Sequence, residues 1–193
     1  MKKNIMLLLL LFVTSLVMAQ NIEDVLGVSK LKFNGTKYLL GYSVHNSTHY
    51  LQEYFPKGET PDRYTDMFTI SVHISPELTP QKAIEAKAIE LELRKSEKKD
   101  VWNWEIYNNS DESEYMIDFI CCSGSAEKLD FIEFDVHRYR TIEVNGQNAL
   151  QLMFYTHRVY GDDIIPFLEE KFSTLRMETI NALTKFDIDC KVR

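Results

Sequence analysis

The chain has 193 residues, with 22 Lys and Arg against 29 Asp and Glu, which gives a formal net charge of −7. Hydrophobic residues make up 45% and charged residues 26% of the chain, and these values exclude a low-complexity or fibrous protein. The length is that of one domain of ordinary size. The negative charge argues against a protein that binds nucleic acid through the phosphate backbone.

The first nineteen residues have the pattern of a secretory signal peptide. Lys2 and Lys3 precede an apolar run over residues 5–17, and Ala19 supplies the small residue that signal peptidase requires. The apolar run is shorter than the roughly 20 residues of a membrane-spanning helix, so a signal peptide is favoured over a membrane anchor. No later segment is long or apolar enough to span a membrane, so no stable span is expected in the mature chain. We expect cleavage after Ala19, export to a periplasm or beyond, and a single domain over residues 20–193.

Export would place three cysteines in oxidising surroundings, namely Cys121, Cys122 and Cys190. Because the number is odd, at least one thiol must stay free or pair between chains. The pattern favours small buried side chains, and it leaves open a bridge from Cys121 or Cys122 to Cys190.

In chain order, alternating apolar and polar residues predict strands over 37–44, 49–55, 67–75, 101–107, 115–122 and 130–140. Residues 45–48 have turn chemistry, and Asn145-Gly146 predicts a hairpin that joins 139–144 to 149–160.

Two helices interrupt or follow these strands. Thr79-Pro80 is a helix start, and apolar residues recur at helical spacing from Ile84 to Leu93, before a basic stretch over 94–99. Asp162 or Asp163 begins a terminal helix through Leu175, with residues 176–183 either prolonging it or forming another. We therefore expect an α+β fold, with a central antiparallel sheet of about six or seven strands flanked by helices.

One strand carries a set of residues that suggests a metal. Glu133, Asp135 and His137 alternate on one face and are ligand types for Zn²⁺ or Mn²⁺. They spread over about 13 Å, however, which is too far for one ion without help from a neighbouring strand such as that of His73. A solvated sheet face is the favoured interpretation. His45 and His49 are interpreted as loop histidines beside a turn.

No catalytic motif is present. The chain has no nucleophile elbow, no phosphate-binding loop and no His-Glu-x-x-His. Trp102 and Trp104 could stack on a ligand, but a core stripe is the favoured interpretation. The sequence therefore predicts a protein that is not an enzyme and needs no cofactor or metal.

The run from Glu53 to Thr60, followed by Tyr64 to Thr69, resembles a pattern in small exported bacterial proteins: a strand ends in Tyr, a Gly turn follows, and an aromatic-Thr-acidic-Met run opens the next strand. The order of elements is similar to that of the Mog/PsbP-like superfamily. The resemblance implies a central antiparallel sheet flanked by helices and a binding or assembly role without catalysis. It implies no particular site residue.

The segment 57–66 is the predicted partner-contact surface, with Lys57, Glu59, Arg63 and Tyr64 as candidate binding residues. Loops at sheet ends often carry binding residues, and Arg and Tyr are enriched at interfaces. In the alternative, Tyr64 packs under the turn and the pattern is structural.

The functional hypothesis is an exported, non-catalytic binding or assembly domain that acts on a protein partner in the bacterial envelope. The alternative is an envelope immunity or chaperone-like protein for a toxin or effector, since an acidic chain suits a basic partner. A hydrolase with an unrecognised site is third. The pattern does not determine the oligomeric state.

Overall fold

The computed structural model describes residues 22–98, 100–125 and 128–192, so the predicted signal peptide over 1–19 lies outside the described residues. Eight strands form one antiparallel sheet in the order β1-β2-β3-β4-β8-β7-β6-β5. Their bounds are β1 Lys30–Phe33, β2 Thr36–His45, β3 His49–Pro56, β4 Asp66–Ile74, β5 Val101–Asn108, β6 Glu114–Gly124, β7 Leu129–Val144 and β8 Gln147–Tyr160.

The sheet consists of two four-stranded meanders that meet in its middle. Strands β1 to β4 follow one another from one edge to the middle of the sheet, and strands β5 to β8 follow one another from the other edge to the middle. The two halves join where β4 pairs with β8 over a register that runs from Asp66–His157 to Ile74–Ala149. This central pairing links residues that are 91 positions apart at one end (157 − 66) and 75 at the other (149 − 74).

Two turns that the sequence predicts are present. Between β2 and β3, Asn46 Oδ1 accepts hydrogen bonds from the backbone N–H groups of Thr48 and His49, both at 2.9 Å. Between β7 and β8, Asn145 and Gly146 have φ values of 52° and 76°. Positive φ at both central residues is what a tight two-residue hairpin requires.

Helix α1, Pro80–Leu93, follows β4 and precedes β5 in the chain, and it packs on one face of the sheet. It starts where the sequence predicts, because Thr79 Oγ1 accepts a hydrogen bond from Lys82 N at 3.2 Å. Ile84 and Leu91 pack against β5, β6 and β7, whereas Ile89 and Leu93, which the pattern assigns to the same stripe, are 63% and 52% exposed. A π-helical turn, Arg94–Lys98, ends the segment.

The terminal helical segment runs without a break from Gly161 to Lys185. A 3₁₀ turn, Gly161–Asp163, leads through the short α2, Ile164–Pro166, and a π-helical turn, Phe167–Lys171, into α3, Phe172–Lys185. Residues 176–183 therefore prolong the predicted helix.

One buried arginine of β7 holds the end of α3 against the second face of the sheet. Arg138 Nη1 donates to the carbonyl oxygens of Leu183 and Phe186 at 2.9 and 2.6 Å, and Arg138 Nη2 pairs with Glu114 at 2.5 Å. The last carbonyls of a helix have no partner within the helix, so a buried cation there satisfies both their hydrogen bonding and the helix dipole.

The expected sheet of six or seven strands flanked by helices is wrong. The protein is built on a single eight-stranded sheet with two helical segments, and it is richer in strand than expected. The missing strand is β1, Lys30–Phe33, which precedes the first strand that the pattern predicts. Leu31 and Phe33 of β1 are buried, and the turn at Asn34-Gly35, with φ values of 42° and 85°, connects it to β2. That Asn-Gly pair was the sequence signal for the extra hairpin.

The three cysteines are free thiols in this structure and pack in different hydrophobic clusters. Among the residues that the structure describes, no helix has the length and apolar character needed to cross a membrane.

Candidate functional site

The segment that joins β3 to β4 is held rigidly. Thr60 and Arg63 exchange backbone hydrogen bonds at 3.1 and 3.0 Å, which closes a tight turn. The Glu59 carboxylate accepts hydrogen bonds from the backbone N–H groups of Thr65 and Asp66 at 2.7 and 3.1 Å. Glu59 therefore orders the loop from within, and the side chains at its tip project from a fixed backbone.

The four predicted binding residues have different surroundings. Lys57 and Arg63 are exposed, and Glu59 is half-buried in the role just described. Tyr64 is 7% exposed and packs against Phe55 and Met67. The structure thus leaves Lys57 and Arg63 accessible to a partner from solution, whereas Tyr64 lies beneath the turn.

The Tyr64 hydroxyl belongs to a polar network on the sheet. It donates to Glu133 Oε1 at 2.8 Å and accepts from Arg158 Nη2 at 2.8 Å. The Arg158 guanidinium lies 4.2 Å from the ring centroids of both Tyr64 and Phe131, and it donates twice to Glu133. Burial, followed by the Glu133 charge, raises the pKa of Tyr64 far above its ordinary value, so the hydroxyl stays protonated.

A cleft of about 540 Å³ opens where this segment meets the end of β8 and the start of the terminal helix. Four basic side chains line it, namely Arg63, His157, Arg158 and Lys171. Two of them are already paired: Arg158 with Glu133, and His157 with Asp66 at 2.9 Å. Within the described residues, Arg63 and Lys171 form no ion pair, and Arg63 lies over the Tyr160 ring at 5.5 Å.

The remaining wall of the cleft is largely apolar, with Val159, Pro166, Phe167 and Leu175 as its members and the acidic Asp163 at the helix start. The π-helical turn Phe167–Lys171 contributes a residue at each of its ends to the cleft. Helical turns of this kind occur frequently at functional sites. The cleft therefore combines two unpaired cations with an apolar surface, an arrangement that suits a ligand carrying both an anionic and an apolar group.

The row Glu133, Asp135 and His137 is not the solvated face that the alternation suggests. Asp135 and His137 are 7% and 6% exposed, and Glu133 is committed to Arg158. Thr156 Oγ1 donates to Asp135 at 2.5 Å. His73 lies on β4, which β8 separates from β7, so it cannot complete the set.

In the described part of the chain, no group of three or more His, Cys, Asp or Glu side chains is placed to hold a metal ion.

Burial also shifts the pKa values of Asp135 and His137. Desolvation, followed by the Glu133 charge, raises the pKa of Asp135 to about 7. Desolvation lowers the pKa of His137 well below its ordinary value, so this imidazole is neutral. Its Nδ1 lies 3.3 Å from the Tyr139 hydroxyl, and the rings of Phe119 and Phe154 flank it. His137 is a core residue.

The two tryptophans do not share one flat stripe. A bulge in β5 between Val101 and Asn103 displaces Trp102, which is 37% exposed. Trp104 packs at the edge of the cluster under α1, and Lys95 Nζ lies 5.2 Å from its ring centroid. Trp104 therefore belongs to the core edge, as expected, and Trp102 does not.

Sequence reasoning missed one pairing. His49 and His73 lie directly opposite each other on β3 and β4, with ring centroids 4.0 Å apart. Each histidine is visible in its own strand pattern, but the register between the two strands depends on the segment 57–65 that joins them.

The fold and the cleft define a single-sheet antiparallel domain with an open, partly cationic cleft at one end of the sheet. The chain belongs to an uncharacterised protein family, whose model matches residues 26–188. Nothing in that match links the chain to the Mog/PsbP-like superfamily. No curated protein matches the chain.

Proposed function

We propose that this protein is an exported, non-catalytic binding domain that captures a protein partner in the bacterial envelope. The observation that carries the proposal is the unpaired Arg63 at the mouth of the cleft, on a turn that its own backbone and Glu59 hold rigid. A rigid loop loses little conformational freedom on binding, so more of the contact energy is retained as affinity.

The side chains that line the cleft suit a partner segment that carries an acidic group beside an apolar side chain. Arg63 presents a planar guanidinium that pairs with a carboxylate in two parallel hydrogen bonds, and Lys171 adds a second positive charge. Phe167 and Leu175 offer the apolar wall for the neighbouring side chain. Lys57 is exposed on the same loop and extends the proposed contact surface.

The alternative, an immunity or chaperone-like protein, assumes a basic partner that the overall charge of −7 would attract. The unpaired cations of the cleft favour an acidic segment instead, so we prefer the first hypothesis. The resemblance to the Mog/PsbP-like superfamily stays an expectation, and the proposed function does not depend on it.

Site-specific photo-crosslinking in envelope preparations tests the proposal. A photoreactive residue at position 63 should capture a discrete partner, whereas one at Lys185, which is exposed at the far end of α3, should not. Affinity for the purified partner should then fall by about tenfold or more in Arg63→Ala and Lys171→Ala, because each removes a charge from a central contact. Equal crosslinking at both positions, or unchanged affinity in both variants, would contradict the proposal.

Export has its own test. Mass spectrometry of the native protein should find an N-terminus at or near Gln20, since the cleavage pattern ends at Ala19. Recovery of intact Met1 in a membrane fraction would contradict it.

A further inference from the structure

Two histidines of the sheet face each other across neighbouring strands, on the side that carries α1. The backbone N–H of Ile74 donates to Thr48 O at 2.8 Å, so the next pair along the ladder, His49 and His73, is a non-hydrogen-bonded pair. Side chains approach most closely at such positions. The two rings accordingly lie parallel, with an interplanar angle of 19° and centroids 4.0 Å apart.

Both rings are neutral at neutral pH. Burial lowers the pKa of His49, and burial followed by the neighbouring His49 charge lowers the pKa of His73. A neutral imidazole has one nitrogen with a free lone pair, which is the form that coordinates metals.

The surroundings orient one of the two rings. The Nε2 atom of His49 lies at hydrogen-bonding distance, 2.9 Å, from Ser71 Oγ, and Ser71 is buried. A polar neighbour that holds one ring nitrogen fixes the orientation of the other, as in the outer shells of metal sites. Within the described residues, the His73 ring forms no hydrogen bond, so neither of its nitrogens is already held by a protein group.

We propose that His49 and His73 form a two-histidine site for a late first-row divalent ion, namely Cu²⁺, Ni²⁺ or Zn²⁺. One nitrogen from each ring coordinates the ion, and water completes the coordination. Imidazole is a preferred ligand for these three ions, and Cu²⁺ binds most tightly in the general affinity order. The site is independent of the cleft and of the proposed partner.

The experiment uses the tag-free protein and Ni²⁺ and Cu²⁺ as probes. Isothermal titration with Ni²⁺ should show one saturable site, and His49→Asn and His73→Asn should each weaken it by at least about tenfold, since loss of even an outer-shell partner typically costs that much. The matched control is His45→Asn. His45 lies on β2 beside the same turn, and its side chain is 44% exposed. The His45→Asn substitution should leave the affinity for Ni²⁺ unchanged.

Electron paramagnetic resonance of the Cu²⁺ complex counts the ligands directly. The wild-type spectrum should show coupling to two imidazole nitrogens, and each single variant should show one. Thermal melts establish that both variants remain folded, and at a fixed Ni²⁺ concentration the melting temperature should rise more in the wild type and in His45→Asn than in His49→Asn or His73→Asn. Absence of binding to the wild type, binding equal in wild type and both variants, or loss of binding in His45→Asn would each overturn the site.

Discussion

Asp135 is a buried carboxyl group whose one hydrogen-bond partner, Thr156, does not compensate for the loss of water. Its pKa of about 7 lies above its ordinary value of 3.8. Between these values the folded protein holds a proton that the unfolded chain releases. The free energy of unfolding attributable to this residue therefore falls as the pH rises from about 4 to about 7.

Asp135→Asn should remove this dependence, because the amide keeps the shape and can still accept from Thr156. The variant should gain stability over the wild type as the pH rises through the window, by an amount on the order of a few kcal/mol at pH 8. Urea unfolding at pH 5 and pH 8 measures the difference. A variant less stable than the wild type at pH 8 would mean that the ionised carboxylate is stabilising.

Substitutions of the neighbouring residues Tyr64 and Arg63 distinguish a role in packing from a role in binding a partner. Tyr64→Ala removes a buried ring and leaves Glu133 and Arg158 without their shared hydroxyl, so the free energy of unfolding should fall by about 3–5 kcal/mol. Arg63→Ala, one position away and exposed, should change stability by less than about 0.5 kcal/mol. Chemical denaturation of the two variants compares them. Similar losses in both would mean that Arg63 also supports the turn.

At the scale of elements, the hairpin between β7 and β8 depends on left-handed backbone at its tip. Gly146 has φ of 76°, and a Cβ atom added there would meet no heavy atom within 4 Å. Gly146→Ala should therefore cost about 1–2 kcal/mol through backbone strain alone. Asn145→Gly, at a φ of 52°, is the control and should cost little, because glycine adopts this conformation freely. An unchanged denaturation midpoint for Gly146→Ala would show that the turn has relaxed to another type.

At the scale of the whole molecule, the fold holds together without a covalent crosslink. Burial raises the pKa of Cys121 to about 12 and that of Cys190 to about 11, and it also raises the pKa of Cys122. Since the thiolate is the reactive form, the native thiols should react slowly. Thiol titration should find three free groups after denaturation, and dithiothreitol should leave the melting temperature unchanged. Detection of a single thiol would show instead that two of the three cysteines form a disulfide.

Much of the local structure could be predicted, because its causes lie within a few residues. The Thr79-Pro80 start of α1, the turn after His45 and the hairpin at Asn145 depend on short-range hydrogen bonds and backbone preferences that the sequence displays. The extra strand β1 carried a signal of the same kind at Asn34-Gly35, but only four residues follow the strand pattern there.

By itself the sequence determined where most strands and both helical segments lie, since period and turn chemistry are local properties. Only the tertiary structure decided which strands pair. The central contact of β4 with β8 joins Asp66 to His157, and its register sets which polar residues are covered. That is why alternation alone placed Asp135 and His137 in solvent when they are buried, and why it could not place His49 opposite His73. Burial is a property of packed layers, and a strand pattern states only which residues share a face.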